Sequence, residues 1–301
     1  MERNNVTTIH LLGFPELHRF RIALFLFLLI TYLTTISGNL MVLIVVSFSK
    51  NLHCPMYFFL SQLTISDIMT TSDIIPNMLL VVLNNGSSMS IPQCFTQLLF
   101  FGSSEAAECF LLTVMSYDRY LAICHPLYYD SIMNNILCLK LIVISWTLAF
   151  AVTSTITVSI SQFQFCRSGV DHFFCDLDPV LQLSCFDIWR VKLMCTIFSF
   201  LGILCPFLIV VVSYAYIVHT ILRIQSISHR QKAFSTCGSH LTVVSIFYGA
   251  LVSVYLSPDK GKSSALHKVL SMLYSVLTPL INPIIYSLRN KDIKEAFAKI
   301  F

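Results

Sequence analysis

The spacing of the charged residues is the feature that most constrains the fold. Long stretches lack Asp, Glu, Lys and Arg altogether, and an α-helix needs about 20 apolar residues to cross roughly 30 Å of hydrocarbon. Five such intervals occur: Arg21 to Lys50, Lys140 to Arg167, Lys192 to Arg223, Lys232 to Asp259, and Lys268 to Arg289. Two more apolar stretches contain acids. Residues 56–83 include Asp67 and Asp73, and residues 94–123 include Glu105 and Glu108 before Asp118 and Arg119.

These seven stretches predict an all-α membrane protein. The chain of 301 residues is 56% hydrophobic and 11% charged, whereas soluble domains carry about 25% charge. A net charge of +4 is too dilute for a nucleic-acid surface. The stretches lack the alternation of barrel strands. We therefore expect one domain, residues 1–301, with spans near 22–48, 56–83, 94–123, 139–160, 193–222, 233–256 and 269–288, and a short interfacial helix at 290–301.

Glycosylation and cysteine positions indicate the orientation. Asn5 begins an Asn-Val-Thr sequon in the N-terminal tail, and four cysteines fall on the same side of the membrane as that tail. Both features belong to an extracellular compartment, where disulfides form. We expect a multi-pass protein of the plasma membrane whose N-terminus is extracellular. The four cysteines allow three pairings: they are Cys94, Cys166, Cys175 and Cys185.

Several polar residues are predicted to lie at one depth inside the bundle. Asn39, Asp67 and Glu108 each lie eleven residues from a cytoplasmic boundary, which is roughly 16 Å along a helix. Asn282 is expected slightly nearer the cytoplasm. Two carboxyl groups in such a site either share a proton or bind a cation such as sodium. The alternative, to which we give equal weight, is a structural network that joins helices.

Four segments carry the most specific pattern. They resemble the signatures of vertebrate olfactory receptors, a family of rhodopsin-like G-protein-coupled receptors, and the resemblance covers essentially the whole chain. Ser116 and Ile281 depart from the residues usual in the family, which are Ala and Leu. The segments are 55–61 (PMYFFLS), 115–127 (MSYDRYLAICHPL), 232–240 (KAFSTCGSH) and 279–290 (PLINPIIYSLRN).

The resemblance implies partners and roles. Cys94 should pair with Cys175, and Cys166 with Cys185. The implied partners are a small volatile ligand, membrane lipid and a stimulatory G protein of the olfactory type, which raises cyclic AMP in olfactory cilia; no cofactor is implied. The switch that faces the G protein would comprise Asp118, Arg119, Tyr120, Tyr214, His240, Asn282, Pro283 and Tyr286.

A ligand cavity is predicted on the extracellular side of Glu108. Phe101, Gly102, Glu105 and Ala106 share one face of the third span, a turn or more above Glu108. Such largely apolar walls suit a small, weakly polar molecule. We favour a neutral Glu105 that donates a hydrogen bond to the ligand. The alternatives are an ionised Glu105 that pairs with a cationic ligand, or one that bonds only the fourth or fifth span. By resemblance the cavity also takes Phe198, Ser199, Gly202, Tyr248, Leu251, Val252, Tyr255 and Ser275.

Other functions fit the sequence less well. An enzyme is not expected, because the chain contains neither His-x-x-x-His nor Gly-x-Ser-x-Gly. A transporter or channel is disfavoured because there are no repeated halves and no ring of like charges. The closest alternative is a rhodopsin-like receptor for a non-odorant metabolite, expressed outside the olfactory epithelium.

Overall fold

Seven long helices dominate the computed structural model, which describes residues 6–185, 187–255, 264–289 and 291–300. The sequon residue Asn5 lies outside the described residues. We number the helices as spans in chain order. Spans one to six are Arg21–Phe48, Pro55–Asn84, Ile91–Cys124, Asn135–Ser161, Trp189–Leu222 and Ile227–Tyr255, and the seventh covers 264–289.

Six of these helices are long and apolar enough to cross a membrane. The remaining one, the sixth span, has a shorter apolar part, Cys237–Ser253, because its first turns are polar. Those polar turns continue the helix beyond its apolar part. The predicted all-α bundle of seven helices is confirmed.

Local sequence explains where several spans begin. The second span begins at Pro55, and Cys54 before it is extended. A proline ring disfavours the helical conformation of the preceding residue, so a proline suits the first position of a helix. Ser90 and Gln93 form a capping box at the third span, and Gln93 Oε1 accepts the Ser90 N–H at 2.9 Å. Asn134 Oδ1 accepts the Leu137 N–H at 2.9 Å and caps the fourth span.

The third span forms the centre of the bundle. Buried residues occur along its whole length, from Cys94 to Leu121, and it packs against the second, fourth and fifth spans. The outer half of the fifth span packs much less tightly. Among residues 189–204, only Val191 is buried. The packing of the bundle is therefore uneven, with its tightest part around the third span.

Two spans contain a turn of π-helix. Phe200–Leu204 interrupts the fifth span, and Leu273–Leu277 interrupts the seventh. A π-turn adds one residue to a helical turn and is frequent at functional sites. Both π-turns include or adjoin residues predicted for the cavity, namely Ser199, Gly202 and Ser275.

A small sheet covers part of the outer face. Its strands are β1 (Thr8–Leu11), β2 (Ser87–Ser90) and β3 (Gly169–Val170), in the order β2-β1-β3. β1 is antiparallel to β2, with His10 opposite Ser88, and parallel to β3. The N-terminal segment therefore joins the second–third connection to the long loop after the fourth span.

Short helices complete the two faces of the bundle. The C-terminal helix Lys291–Ile300 buries Ile293 and Ala296 against the core and exposes its other side. Its Asp292 accepts a 2.9 Å hydrogen bond from the Tyr57 hydroxyl. The other short helices are Pro15–Phe20, Lys50–Leu52, Pro126–Ile132 and Leu177–Leu181.

Gly13 provides a test of the outer sheet. Its φ is +64°, its N–H donates to the His172 carbonyl at 3.1 Å, and an added Cβ would lie 2.4 Å from Val81 Cγ1. We expect Gly13→Ala to destabilise the purified protein by about 1–3 kcal/mol, because backbone strain and steric overlap coincide. Thermal unfolding measures the change. Gly169→Ala is the matched control, since no atom lies within 4 Å of a Cβ there. Equal melting temperatures for the two variants would contradict this account.

Candidate functional site

The long loop between the fourth and fifth spans forms the roof of the bundle. Cys94 pairs with Cys175 and Cys166 with Cys185, with Cα–Cα distances of 5.5 and 5.2 Å. These are the two pairings that the family resemblance implies. The first disulfide fixes the loop to the outer end of the third span, so the loop cannot move independently of that helix.

Gln97 strengthens this attachment. Its side-chain oxygen accepts the Cys175 N–H at 2.9 Å, and its amide donates to the Asp73 carbonyl at 2.8 Å. One buried side chain thus connects the loop, the second span and the third span. The sequence gives no signal for this role, because a polar residue near a helix end is ordinarily solvated.

An aromatic cluster lies directly below the roof. The buried ring of Phe101 contacts Phe174 edge-on at 5.1 Å and Tyr274 of the seventh span at 5.9 Å. Phe173 contacts Phe174 at 5.0 Å and stacks on Phe14 at 5.3 Å. Phe101 therefore connects the loop with the region predicted to hold the ligand.

The other cavity residues of the third span take different positions. Glu105 and Ala106 are half-buried, and Glu105 lies near enough to Glu108 and to Asp176 of the loop to interact electrostatically with both. Gly102 lies against the fourth span, where an added Cβ would be 2.8 Å from the Thr153 methyl group. Close helix packing therefore explains Gly102, and we leave it out of the cavity wall.

The remaining cavity residues come from spans five to seven. Phe198, Ser199 and Gly202 are half-buried, and Tyr248, Leu251 and Ser275 are buried. Ser275 Oγ donates to the Ser271 carbonyl at 2.6 Å. Val252 is 43% exposed and lines a groove on the outside of the bundle, so it does not face the interior. The side chain of Tyr255 lies outside the described part of the chain.

A buried polar network lies beneath the cavity region. Asn282 Nδ2 donates to both Asp67 carboxylate oxygens, at 3.0 and 3.2 Å. Asn39 Nδ2 donates to the Pro279 carbonyl at 3.2 Å. Glu108 lies against Asp67 and is likewise buried. These contacts join spans one and seven through Asn39, spans two and seven through Asp67, and spans two and three through Glu108.

Several oxygen atoms of this network have no hydrogen-bond partner among the described residues. They include Asn39 Oδ1, Glu108 Oε1 and Thr70 Oγ1. Buried polar atoms are normally paired with protein or ordered water. Carboxylate oxygens such as those of Glu108 and Asp67 are the ligand type that a hard cation prefers. The described residues contain no cluster of three or more His, Cys, Asp or Glu suited to another metal.

The end of the third span opposite the Cys94–Cys175 disulfide holds an ion pair. Asp118 and Arg119 are both buried and bond to each other, with Arg119 Nε 2.9 Å from Asp118 Oδ2. Tyr129 of the following short helix donates to Asp118 Oδ1 at 2.7 Å. Burial and the neighbouring Asp118 raise the Tyr129 pKa, so this hydroxyl stays protonated as a donor. Sequence inspection missed Tyr129, which lies eleven residues from its partner.

The other switch residues lie around this end of the bundle. Tyr214 bonds His240 at 2.6 Å and so joins spans five and six. Tyr120 bonds His125 at 3.0 Å. Tyr286 is fully buried, and Pro283 packs close to Gly38 of the first span. In this conformation Arg119 is held by its own acidic neighbour.

Comparisons with known proteins agree on a family and a fold. The family model described as Olfactory receptor matches residues 27–301. The chain is 43% identical to Olfactory receptor 11L1 of Homo sapiens, over 99% of this chain and 92% of that relative. It is 41% identical to Olfactory receptor 1468 of Rattus norvegicus, over 100% and 97%. Squid rhodopsin shares the fold, with a TM-score of 0.76, 16% identity, and coverage of 94% of this chain and 85% of that one.

Proposed function

Because this chain belongs to the olfactory receptor family, we propose that it binds small volatile molecules and activates a stimulatory heterotrimeric G protein of the olfactory type. It is a multi-pass membrane protein with a receptor fold and not an enzyme. The proposal includes an extracellular N-terminus at the plasma membrane of olfactory cilia. The predicted ligand wall follows the outer part of the third span, below the loop.

The continuity of the third span is the observation that carries this proposal. One helix contains Phe101 and Glu105 below the loop, Glu108 in the polar network, and Asp118 with Arg119 at the cytoplasmic end. A ligand shifts a conformational equilibrium only through its different affinities for the two states. If two packings of the bundle are close in free energy, ligand contacts at the outer end of this helix suffice to shift the equilibrium between them. That shift changes the surroundings of the ion pair at the inner end.

A cyclic AMP assay tests the function directly. Cells that express the receptor, with surface expression verified by antibody, are exposed to a broad panel of volatile compounds. We expect a concentration-dependent rise in cyclic AMP for some of them, and none in cells that lack the receptor. Silence against every volatile at normal surface expression would contradict the proposal and favour the receptor for a non-odorant metabolite.

The cavity is proposed to recognise the ligand through apolar contacts and Glu105. Its wall comprises residues from four spans, without Gly102 and Val252. A neutral Glu105 would donate one hydrogen bond to an alcohol or ketone, which suits the lack of a basic partner in the wall. Lys268 lies at the roof but is paired there with Asp171 of the loop. The wall residues are Phe101, Glu105, Ala106, Phe198, Ser199, Gly202, Tyr248, Leu251, Tyr255 and Ser275.

Glu105→Gln tests this recognition. The amide is a weaker donor than a neutral carboxyl group, so we expect the potency of alcohols and ketones to fall by about two- to fivefold, a fraction of one hydrogen bond. Matched amines of the same carbon skeleton serve as the comparison, with cyclic AMP as the readout. Selective loss of amine responses would show an ionised Glu105. An unchanged response to all three classes would remove Glu105 from the site.

The polar network is proposed to control switching through sodium or a shared proton. Asp67 and Glu108 would hold the cation, with the Asn39 side-chain oxygen nearby. We expect Glu108→Gln to change basal signalling and to weaken the effect of sodium on agonist potency, because one negative ligand is lost. Dose–response curves over a range of sodium concentration and pH measure this. Responses equal to wild type throughout would leave only the structural network.

Arg119 is proposed to act in the switch and not in ligand binding. Its guanidinium lies at the opposite end of the third span from Phe101, so Arg119→Ala should leave ligand affinity within about twofold while G-protein activation is lost. Binding to purified receptor and nucleotide exchange on the G protein are measured in parallel. Nucleotide exchange that survives the substitution would remove Arg119 from the switch.

A further inference from the structure

The outer ends of spans one, two, three and seven are covered by the N-terminal segment and the loop. β1 lies in the middle of the sheet, and its Ile9 and Leu11 are completely buried. Phe14 stacks on Phe173 of the loop, and Asp171 forms an ion pair with Lys268 of the seventh span. A ligand that arrived from water over these spans would have to displace buried apolar residues and an ion pair.

The bilayer-facing side of spans five and six is open by comparison. The outer half of the fifth span buries only Val191 among residues 189–204. Below that half, along residues 207–214 of the fifth span, a groove of about 440 Å³ runs between the two spans, with walls that are mainly apolar. Gly249 contributes no side chain to it, and no atom lies within 4 Å of a Cβ built there. The volume lies within the range of about 300–1,000 Å³ that small-molecule sites occupy.

The groove adjoins the predicted cavity at one pair of rings. Phe207 of the fifth span contacts Tyr248 of the sixth span, with ring centroids 4.9 Å apart. Both residues line the groove, and Tyr248 is also a predicted cavity residue. The Tyr248 hydroxyl is buried and lies close to Cys109 and Thr113 of the third span. These two side chains therefore stand between the groove and the interior.

We propose that small apolar ligands enter this receptor from the bilayer, through the groove between spans five and six and past the pair Phe207–Tyr248. This inference rests on the proposed function, because it takes the same small apolar ligand. The bilayer concentrates such molecules, since each methylene group favours the apolar phase by about fourfold. The groove reaches Tyr248, a predicted cavity residue, and the outer ends of spans one, two, three and seven are covered. Both observations favour such ligands over a lipid chain as the occupant of the groove.

Photolabelling measures occupancy without any signalling step. The full receptor is placed in phosphatidylcholine nanodiscs with 3-azi-1-octanol, an eight-carbon alcohol that carries a diazirine. Labelled residues are identified by mass spectrometry after successive irradiation times. We expect label first on groove residues such as Val211 and Leu241, and then on the third span between Phe101 and Glu108.

Three variants distinguish the routes. Gly249→Leu fills the groove from an exposed helical position, where Leu is also the better helix former. Gly238→Leu is the matched control, a second glycine of the sixth span with no atom within 4 Å of its Cβ and no part in the groove. In the double variant His10→Cys/Ser88→Cys, a disulfide would lock β1 to β2. The two exposed residues are opposite each other in the sheet, and His10 Nδ1 lies 2.7 Å from Ser88 Oγ. The corresponding single-cysteine variants control for the lock.

The initial rate of labelling on the third span decides the proposal. We expect Gly249→Leu to lower it by about tenfold, and Gly238→Leu and the lock to change it by less than about twofold. A drop caused by the lock, a similar drop in Gly238→Leu, a wild-type rate in Gly249→Leu, or an unlabelled third span in the wild type would each overturn the proposal. Labelling needs no G protein. The test of the entry route therefore does not depend on the outcome of the cyclic AMP screen.

Discussion

The pairing of Asp67 with Asn282 is the interaction on which the bundle depends. A carboxyl group inside hydrocarbon is costly unless protein groups solvate it. Asn282 does so with two short contacts, and this draws the seventh span against the second. Asn39 adds the first span through the Pro279 carbonyl, and Glu108 adds the third. Four helices therefore meet in one network because hydrocarbon offers their polar groups no hydrogen-bond partners.

The third span connects this network to both faces of the membrane. A disulfide and Gln97 hold its outer end to the loop, and the Asp118–Arg119 pair occupies its inner end. Such a helix is held at three points along its length. A displacement at one point therefore requires the side chains at the other two to repack. Interfaces of this density have discrete arrangements rather than a continuous range. This property is what a receptor needs to respond in an all-or-none manner to weak ligand contacts.

Uneven packing distinguishes the two sides of the outer half. The N-terminal strand and the aromatic cluster around Phe174 close the side above spans one, two, three and seven. The fifth span has almost no buried residue before its π-turn. Elements with few buried contacts open at the lowest free energy. The two sides of the outer half therefore differ in the free energy needed to open them.

The amino-acid sequence by itself determined the number and order of the helices, because the cost of charge in hydrocarbon acts on each segment separately. It also placed Asn39, Asp67 and Glu108 at one depth, since the rise of a helix is regular. Tertiary structure alone decided which way each helix is rotated, which directs Gly102 to Thr153 and Val252 to the outer groove. It also decided the position of β1 and the pairing of Lys268 with Asp171, 97 residues away. Such contacts depend on distant segments that meet only in the folded bundle, so no local pattern encodes them.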